Sequence, residues 1–316
     1  MQKRIVFMGS PAFAVPSLNA LAERPDIGQV VGVFTQPDKR AGRGRKLTPC
    51  PVKVAADARG IPTYQPKSVR NSEALEMLAS FEADLVVVTA YGKILPSAIL
   101  TAAPLGCINV HASILPRYRG ASPITQAIIA GDAQTGVSIM QLDEGMDTGA
   151  VHSQRAIPIA PDDTCATMSI KLAELGAKLL LDTLPAILGG ESEPQGQDDT
   201  LATHAPLLSK EDGRLDFSQP AAVLERRIRG YSPWPGAFTT FGEDRVLVAK
   251  ATLADGSGEP GVIIGTSKRG IQVACGQSAL LLEEVRPAGR KLMPAAAWSS
   301  GRGPKINDIL GKPSAS

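Results

Sequence analysis

The chain has 316 residues, 43% of them hydrophobic and 20% charged, an ordinary globular composition sufficient for one large or two modest domains. Its net charge of +2 is close to neutral, so any affinity for nucleic acid must come from local clustering. The cysteines Cys50, Cys107, Cys165 and Cys275 are scattered and form no CxxC motif or Cys/His pair with ligand spacing, which argues against a zinc module and for reduced thiols in a reducing, cytosolic compartment.

The first apolar run, 4–9, ends at Gly9-Ser10-Pro11, too short for a secretory core, and reads as a first strand. A helix-like stretch over 11–24 follows, then strand-like runs at 30–36, 83–92 and 107–113. Solid blocks of Val, Ile and Leu without polar alternation predict central strands of a parallel sheet, covered by helices on both faces. Residues 122–131 form a further helix, with Ser122 as cap and Gly131 as terminator; 136–142 and 150–159 read as strands and 163–188 as a long amphipathic helix. The expectation is an α/β domain over 1–189 with a doubly wound, Rossmann-like sheet. Residues 190–208 are polar, contain Gly and Pro, and read as a linker. Beyond them, short strands at 237–241, 245–253, 261–267, 270–276 and 278–287 are separated by turn residues, which predicts a smaller, OB-like β-barrel domain over 209–316. That part is the basic one, with 15 Lys and Arg against 11 Asp and Glu from residue 205 onward. No run reaches the roughly 18 apolar residues of a membrane span.

Two loops at the ends of predicted strands carry different messages. The turn "GSPAFA" (9–14) sits where a dinucleotide site would place GxGxxG, yet only Gly9 is present and Pro11 removes a backbone donor, so an NAD site is not expected. The segment over about 36–50 crowds Lys39, Arg40, Arg43, Arg45 and Lys46 around Gly42 and Gly44, with Lys53 just beyond and Asp38 as its acid. A solvated surface loop is the plain account; a flexible arm that grasps nucleic-acid phosphates is the functional one.

The chemistry-bearing candidates lie in "INVHAS" and "LDEGMDTGA". Asn109 and His111, two apart near the end of a predicted strand, project from the same face, and a polar pair on a buried face needs partners or a ligand. Asp143, Glu144 and Asp147 occupy a Gly-rich loop after another strand, from which an acid reaches a neighbouring strand end and favours a protonated imidazole. Ser113 follows His111 without a GxSxG elbow, so no hydrolase triad is present. Asn, His and Asp without a nucleophile suit polarisation of a carbonyl under attack by an external amine.

These residues carry a family resemblance. The stretch "INVHASILPRYRGASPITQAIIAGDAQTGVSIMQLDEGMDTGAV" is strongly similar to the core of the folate-dependent formyltransferases, whose pattern is N-x-H-x-S-L-L-P-x-x-R-G followed by a D-x-G-x-D-T-G-like loop. Ile114 stands where that pattern has Leu, a conservative departure. The resemblance implies a formyltransferase fold, 10-formyltetrahydrofolate as formyl donor with no metal, and Asn109, His111 and Asp147 as catalytic residues. It also implies that Ser113, Ile114, Leu115 and Pro116 line the folate pocket. Residues 33–66 and 208–238 resemble the inserted loop and the opening of the C-terminal domain in the members that formylate methionyl-initiator tRNA, which makes Arg43, Arg45 and Lys46 the candidate tRNA contacts. The rival acceptor is an amino-sugar nucleotide, which leaves the basic arm without a purpose; a non-enzymatic RNA-binding protein leaves Asn109, His111 and Asp147 unexplained. Arg226, Arg227 and Arg229 fall on one predicted helix, either as RNA contacts or as a solvated face, and Trp234 reads as packing at the entry to the second domain. A monomer is the default expectation.

Overall fold

The computed structural model describes residues 2–41 and 46–311. It divides into two units: Met1–Pro123, Gln134–Pro158 and Ser169–Ala205 form the first, and Ile124–Ala133, Ile159–Met168 and Pro206–Ser316 the second.

The first unit holds strands β1 (Arg4–Gly9), β2 (Gln29–Phe34), β3 (Lys39–Ala41), β4 (Lys46–Thr48), β5 (Thr63–Tyr64), β6 (Leu85–Thr89), β7 (Cys107–His111), β8 (Arg119–Gly120), β9 (Gln134–Gln141), β10 (Val151–Pro158) and β11 (His204–Ala205). Seven of them make one sheet in the order β10-β9-β7-β6-β1-β2-β5. From β7 to β5 neighbours run parallel, as the unbroken apolar blocks predict, and every residue of β6 is buried. Strands β9 and β10 depart from that expectation, for β9 lies antiparallel to β7 and β10 antiparallel to β9. The register sets His111 opposite Ser138 and Ile108 opposite Gln141, so the chain re-enters the sheet at the end where β7 left it. A run buried on both faces looks alike in either direction, and so the sequence could not announce the reversal.

Helices α1 (Val15–Ala22), α2 (Pro51–Asp57), α3 (Ser72–Ser80), α4 (Ser97–Leu100), α5 (Pro123–Ala130) and α6 (Cys165–Gly189) separate the strands. The buried side chains of β1 and β6, Val6, Met8, Val86 and Val88, share one cluster with Leu78 and Ile99 of α3 and α4. On α6, a Cβ at Gly176 would stand 2.8 Å from Val110 Cγ1, so only glycine lets the helix lie this close to β7.

The second unit contains strands β12 (Phe238–Phe241), β13 (Asp244–Ala254), β14 (Ile263–Ser267), β15 (Gly270–Ala274), β16 (Ala279–Pro287) and β17 (Met293–Pro294), with helices α7 (Ala221–Gly230) and α8 (Ala295–Ser300). The five turn-separated strands expected from the sequence form an antiparallel sheet, β12-β13-β16-β15-β14, with β17 beside β16. Its two outer strands, β12 and β14, do not pair with each other among the described residues. Leu224 and Ile228 of α7 and Trp298 of α8 close its core over Val246, Val273 and Leu282. No helix among the described residues is long and apolar enough to cross a membrane.

Candidate active site

Strands β1, β6 and β7 end together at Gly9, Thr89 and His111, the carboxyl edge where open α/β sheets hold their ligands. At this edge β7 delivers Asn109 and His111, with Asn109 between Val88 of β6 and Met140 of β9. His111 is buried, whereas Asn109 is half-buried. The Asn109 carboxamide has no hydrogen-bond partner within the protein among the described residues, which leaves its N–H groups for a ligand.

The imidazole of His111 is held from both sides. Its Nε2 lies 3.1 Å from the carbonyl oxygen of Tyr118, which only accepts, so Nε2 carries a proton. Its Nδ1 faces Asp147 Oδ2 at 3.6 Å, an ion-pair separation. That carboxylate oxygen also accepts the backbone N–H of Gly120 at 2.8 Å. Of the three residues that resemble the family trio, His111 and Asp147 stand at ion-pair distance, and Asn109 lies two residues before His111 on the same face of β7. One detail differs from a free imidazole donor: Nε2 is engaged by the Tyr118 carbonyl, and Nδ1 is the ring nitrogen that faces the acid.

Tyr118 and Asp147, the supports of His111, both have left-handed backbones, with φ of 61° and 55°. Such conformations cost non-glycine residues about 1–3 kcal/mol and persist only where the surroundings fix them. Asp143 and Glu144 of the same loop are exposed; Asp143 caps its own turn, bonding the Gly145 N–H and the Thr148 hydroxyl.

The segment 113–116 is pinned from below. Ser138 Oγ donates to the Ser113 carbonyl at 2.6 Å and accepts the Leu115 N–H at 3.1 Å, while Gln154 Nε2 donates to the Leu115 carbonyl at 2.7 Å. Ser113 and Leu115 are buried, with Ser113 Oγ donating to the Arg117 carbonyl, and Ile114 and Pro116 are half-exposed. Within this segment the side chains left partly exposed are those of Ile114 and Pro116.

In the basic segment β3 pairs antiparallel with β4, Lys39 with Thr48 and Ala41 with Lys46. Lys46 is exposed. Arg43 and Arg45 lie outside the described residues. Lys53, counted with this cluster, instead bonds Asp38 at 3.1 Å and Gln65 at 2.8 Å. In the second unit, α7 does not offer a bare cationic face: Arg226 Nε donates to the Ile129 carbonyl at 3.1 Å, and Arg229 pairs with Glu225 and donates to the Asp163 carbonyl at 2.7 Å. Trp234 is 53% exposed, so it is not the packing residue that its setting predicted.

Reading by residue type missed the Gly120 N–H and the Tyr118 carbonyl, which hold Asp147 and His111 through backbone atoms and so leave no residue-type signal. No group of His, Cys, Asp and Glu able to hold a metal occurs among the described residues.

Comparison with known proteins agrees with this geometry. Residues 3–184 match the formyl transferase family, and residues 207–303 match the formyl transferase C-terminal domain. The chain belongs to the formyl transferase family. Within it, two relatives that align along nearly their whole length are methionyl-tRNA formyltransferases. That of Myxococcus xanthus is 49% identical over 298 residues, 94% of this chain and 95% of its own. That of Trichlorobacter lovleyi is 45% identical over 307 residues, 97% and 96% respectively. Among solved structures, HypX from Aquifex aeolicus in complex with tetrahydrofolic acid superposes with a TM-score of 0.63 at 17% identity, over 94% of this chain and 47% of its own, a likeness of fold.

Proposed function

We propose that this chain transfers the formyl group of 10-formyltetrahydrofolate to the amino group of methionyl-initiator tRNA, giving formylmethionyl-tRNA for translation initiation and tetrahydrofolate. The observation that carries this reading is the 44–49% identity to methionyl-tRNA formyltransferases over 94–99% of the chain. The meeting of His111 with Asp147 beside an unpartnered Asn109 supports it from the side of the chemistry.

The nucleophile is the methionyl α-amine. A free α-amino group titrates near ~7.7–8, and an ester-linked one at or below that, so a usable fraction is neutral near pH 7 without a strong base. Its nitrogen attacks the formyl carbon, and negative charge gathers on the formyl oxygen. Asn109 donates an amide N–H to that oxygen, and the Nδ1–H of a protonated His111 supplies a second hydrogen bond. Asp147 balances the imidazolium through Oδ2. Its other oxygen, Oδ1, has no donor in the protein among the described residues and takes the proton leaving the amine. As the tetrahedral centre collapses, the bond to the folate nitrogen breaks and that nitrogen receives the proton, which balances the exchange.

Ile114 and Pro116, backed by Ser113 and Leu115, form an apolar wall of the folate pocket. Arg43, Arg45 and Lys46 meet RNA phosphates, and the part of the chain from about 209 onward adds further affinity for tRNA. One assay tests the whole reading: formyl transfer from 10-formyltetrahydrofolate to charged initiator tRNA, uncharged tRNA and an amino-sugar nucleotide. Transfer to charged tRNA alone is expected; preferential transfer to the sugar nucleotide would replace the acceptor.

A further inference from the structure

Residues 190–208, expected to link two domains, are in part built into the first unit. Gln195 exchanges backbone hydrogen bonds of 2.8 Å with Val151. Strand β11 lies parallel to β8, with His204 beside Arg119 and Ala205 beside Gly120. Thr203 Oγ1 accepts the Tyr118 N–H at 2.9 Å, and its carbonyl accepts the Arg119 N–H at 2.8 Å. The segment is a strap laid across the residues that support His111.

Gln197 occupies the middle of this strap. Its Oε1 accepts from Arg119 Nε at 3.0 Å and Nη2 at 2.9 Å. Its Nε2 donates to the carbonyls of Asp147 at 2.8 Å and Gly149 at 2.7 Å. The amide's orientation is dictated, because a guanidinium only donates and a carbonyl only accepts. Arg119 is itself buried and bound to Asp199 at 2.7 Å, so the oxygen end of the amide is anchored. Its nitrogen end thus fixes the backbone on which Asp147 stands in a left-handed conformation.

We propose that Gln197 is a positioning residue for formyl transfer: by bridging Arg119 and the Asp147–Gly149 backbone, it sets the approach of the Asp147 carboxylate to His111. This rests on the catalytic assignment of Asp147 given above. A residue that merely fastened the strap would change stability and leave turnover per folded molecule intact.

The test compares the wild type with Gln197→Ala, Gln197→Glu, Asp147→Asn and the Gln197→Ala/Asp147→Asn double variant in the full chain. It reads kcat and KM for 10-formyltetrahydrofolate and charged tRNA, with thermal unfolding alongside. Misplacing a reacting group by about 1 Å costs on the order of 10²-fold, so Gln197→Ala should lose up to that much in kcat with both KM values near normal. Gln197→Glu keeps the acceptor for Arg119 but sets a carboxylate against two carbonyls, and should fall at least as far. The double variant should be no slower than Asp147→Asn alone, since nothing remains to be positioned. Normal kcat in folded Gln197→Ala, recovery in Gln197→Glu, or multiplied losses in the double variant would each overturn the proposal while Asp147→Asn stays impaired. An Asp147→Asn enzyme of wild-type speed would instead remove the catalytic assignment, and this inference with it.

Discussion

Asn109 is the residue where burial and chemistry part company. A half-buried amide without a protein partner among the described residues carries little of the fold's stability and keeps its N–H groups free for a ligand. Loss of one preorganised oxyanion donor costs roughly 3–4 kcal/mol, so Asn109→Ala should fall on the order of 10²–10³-fold in kcat with an unchanged melting profile. Steady-state formylation of charged tRNA checks it, and near-normal turnover by the folded variant removes Asn109 from the chemistry. Tyr91, just beyond β6, poses the converse case. Its hydroxyl is buried without a partner among the described residues, and burial pushes its pKa up to about 12. Deleting an unsatisfied buried hydroxyl recovers part of a desolvation penalty of about 1–3 kcal/mol. Tyr91→Phe should therefore raise the thermal midpoint by roughly 2–4 °C per kcal/mol recovered, as calorimetry would read; a lower midpoint would mean the hydroxyl has a partner.

At the scale of elements, what the sequence could and could not announce follows from the range of the interactions. Strands β1, β6 and β7 declare themselves in local apolar runs, and the Asn109–His111 pair in its spacing. That an acid of the 143–147 loop reaches His111 is expected from the loop's position, but the choice of Asp147 over Asp143 and Glu144 comes through resemblance, because nothing local tells one loop acid from another. The reversed direction of β9, itself expected as a strand, and the whole of strap strand β11 could not be read, since direction and pairing depend on partners far along the chain. Gly120 shows how tight that pairing is. It has φ of 120°, and a Cβ there would stand 2.6 Å from the Ala205 carbonyl oxygen. Gly120→Ala strains the backbone and forces β8 from β11, a cost of about 1–3 kcal/mol from the conformation alone. The expected outcome is a lower thermal midpoint together with reduced kcat, because the Gly120 N–H also holds Asp147. A variant that melts earlier but turns over normally would detach β8 from the chemistry.

For the whole molecule, charge is the informative quantity. A net charge of +2 gives no general pull on RNA, which is why the acceptor is assigned to a local basic cluster around residues 39–46. Removing one cation that neutralises a phosphate lowers the slope of log affinity against log salt by about 0.7–0.9. Arg43→Ala should accordingly raise KM for charged tRNA, most visibly at high salt, and flatten its salt dependence, while KM for 10-formyltetrahydrofolate stays put. Equal loss of folate affinity would show that the arm serves the folate site instead.

Four consecutive amide protons have their bonds in this one region: those of Tyr118, Arg119 and Ala121 end on Thr203 or Ala205, and that of Gly120 on the Asp147 carboxylate. Local opening releases such neighbours together. In deuterated water the four should lose protection at a common rate, shared with the amide of Gln195, and a bound folate that needs Asp147 in place should slow them all as a group.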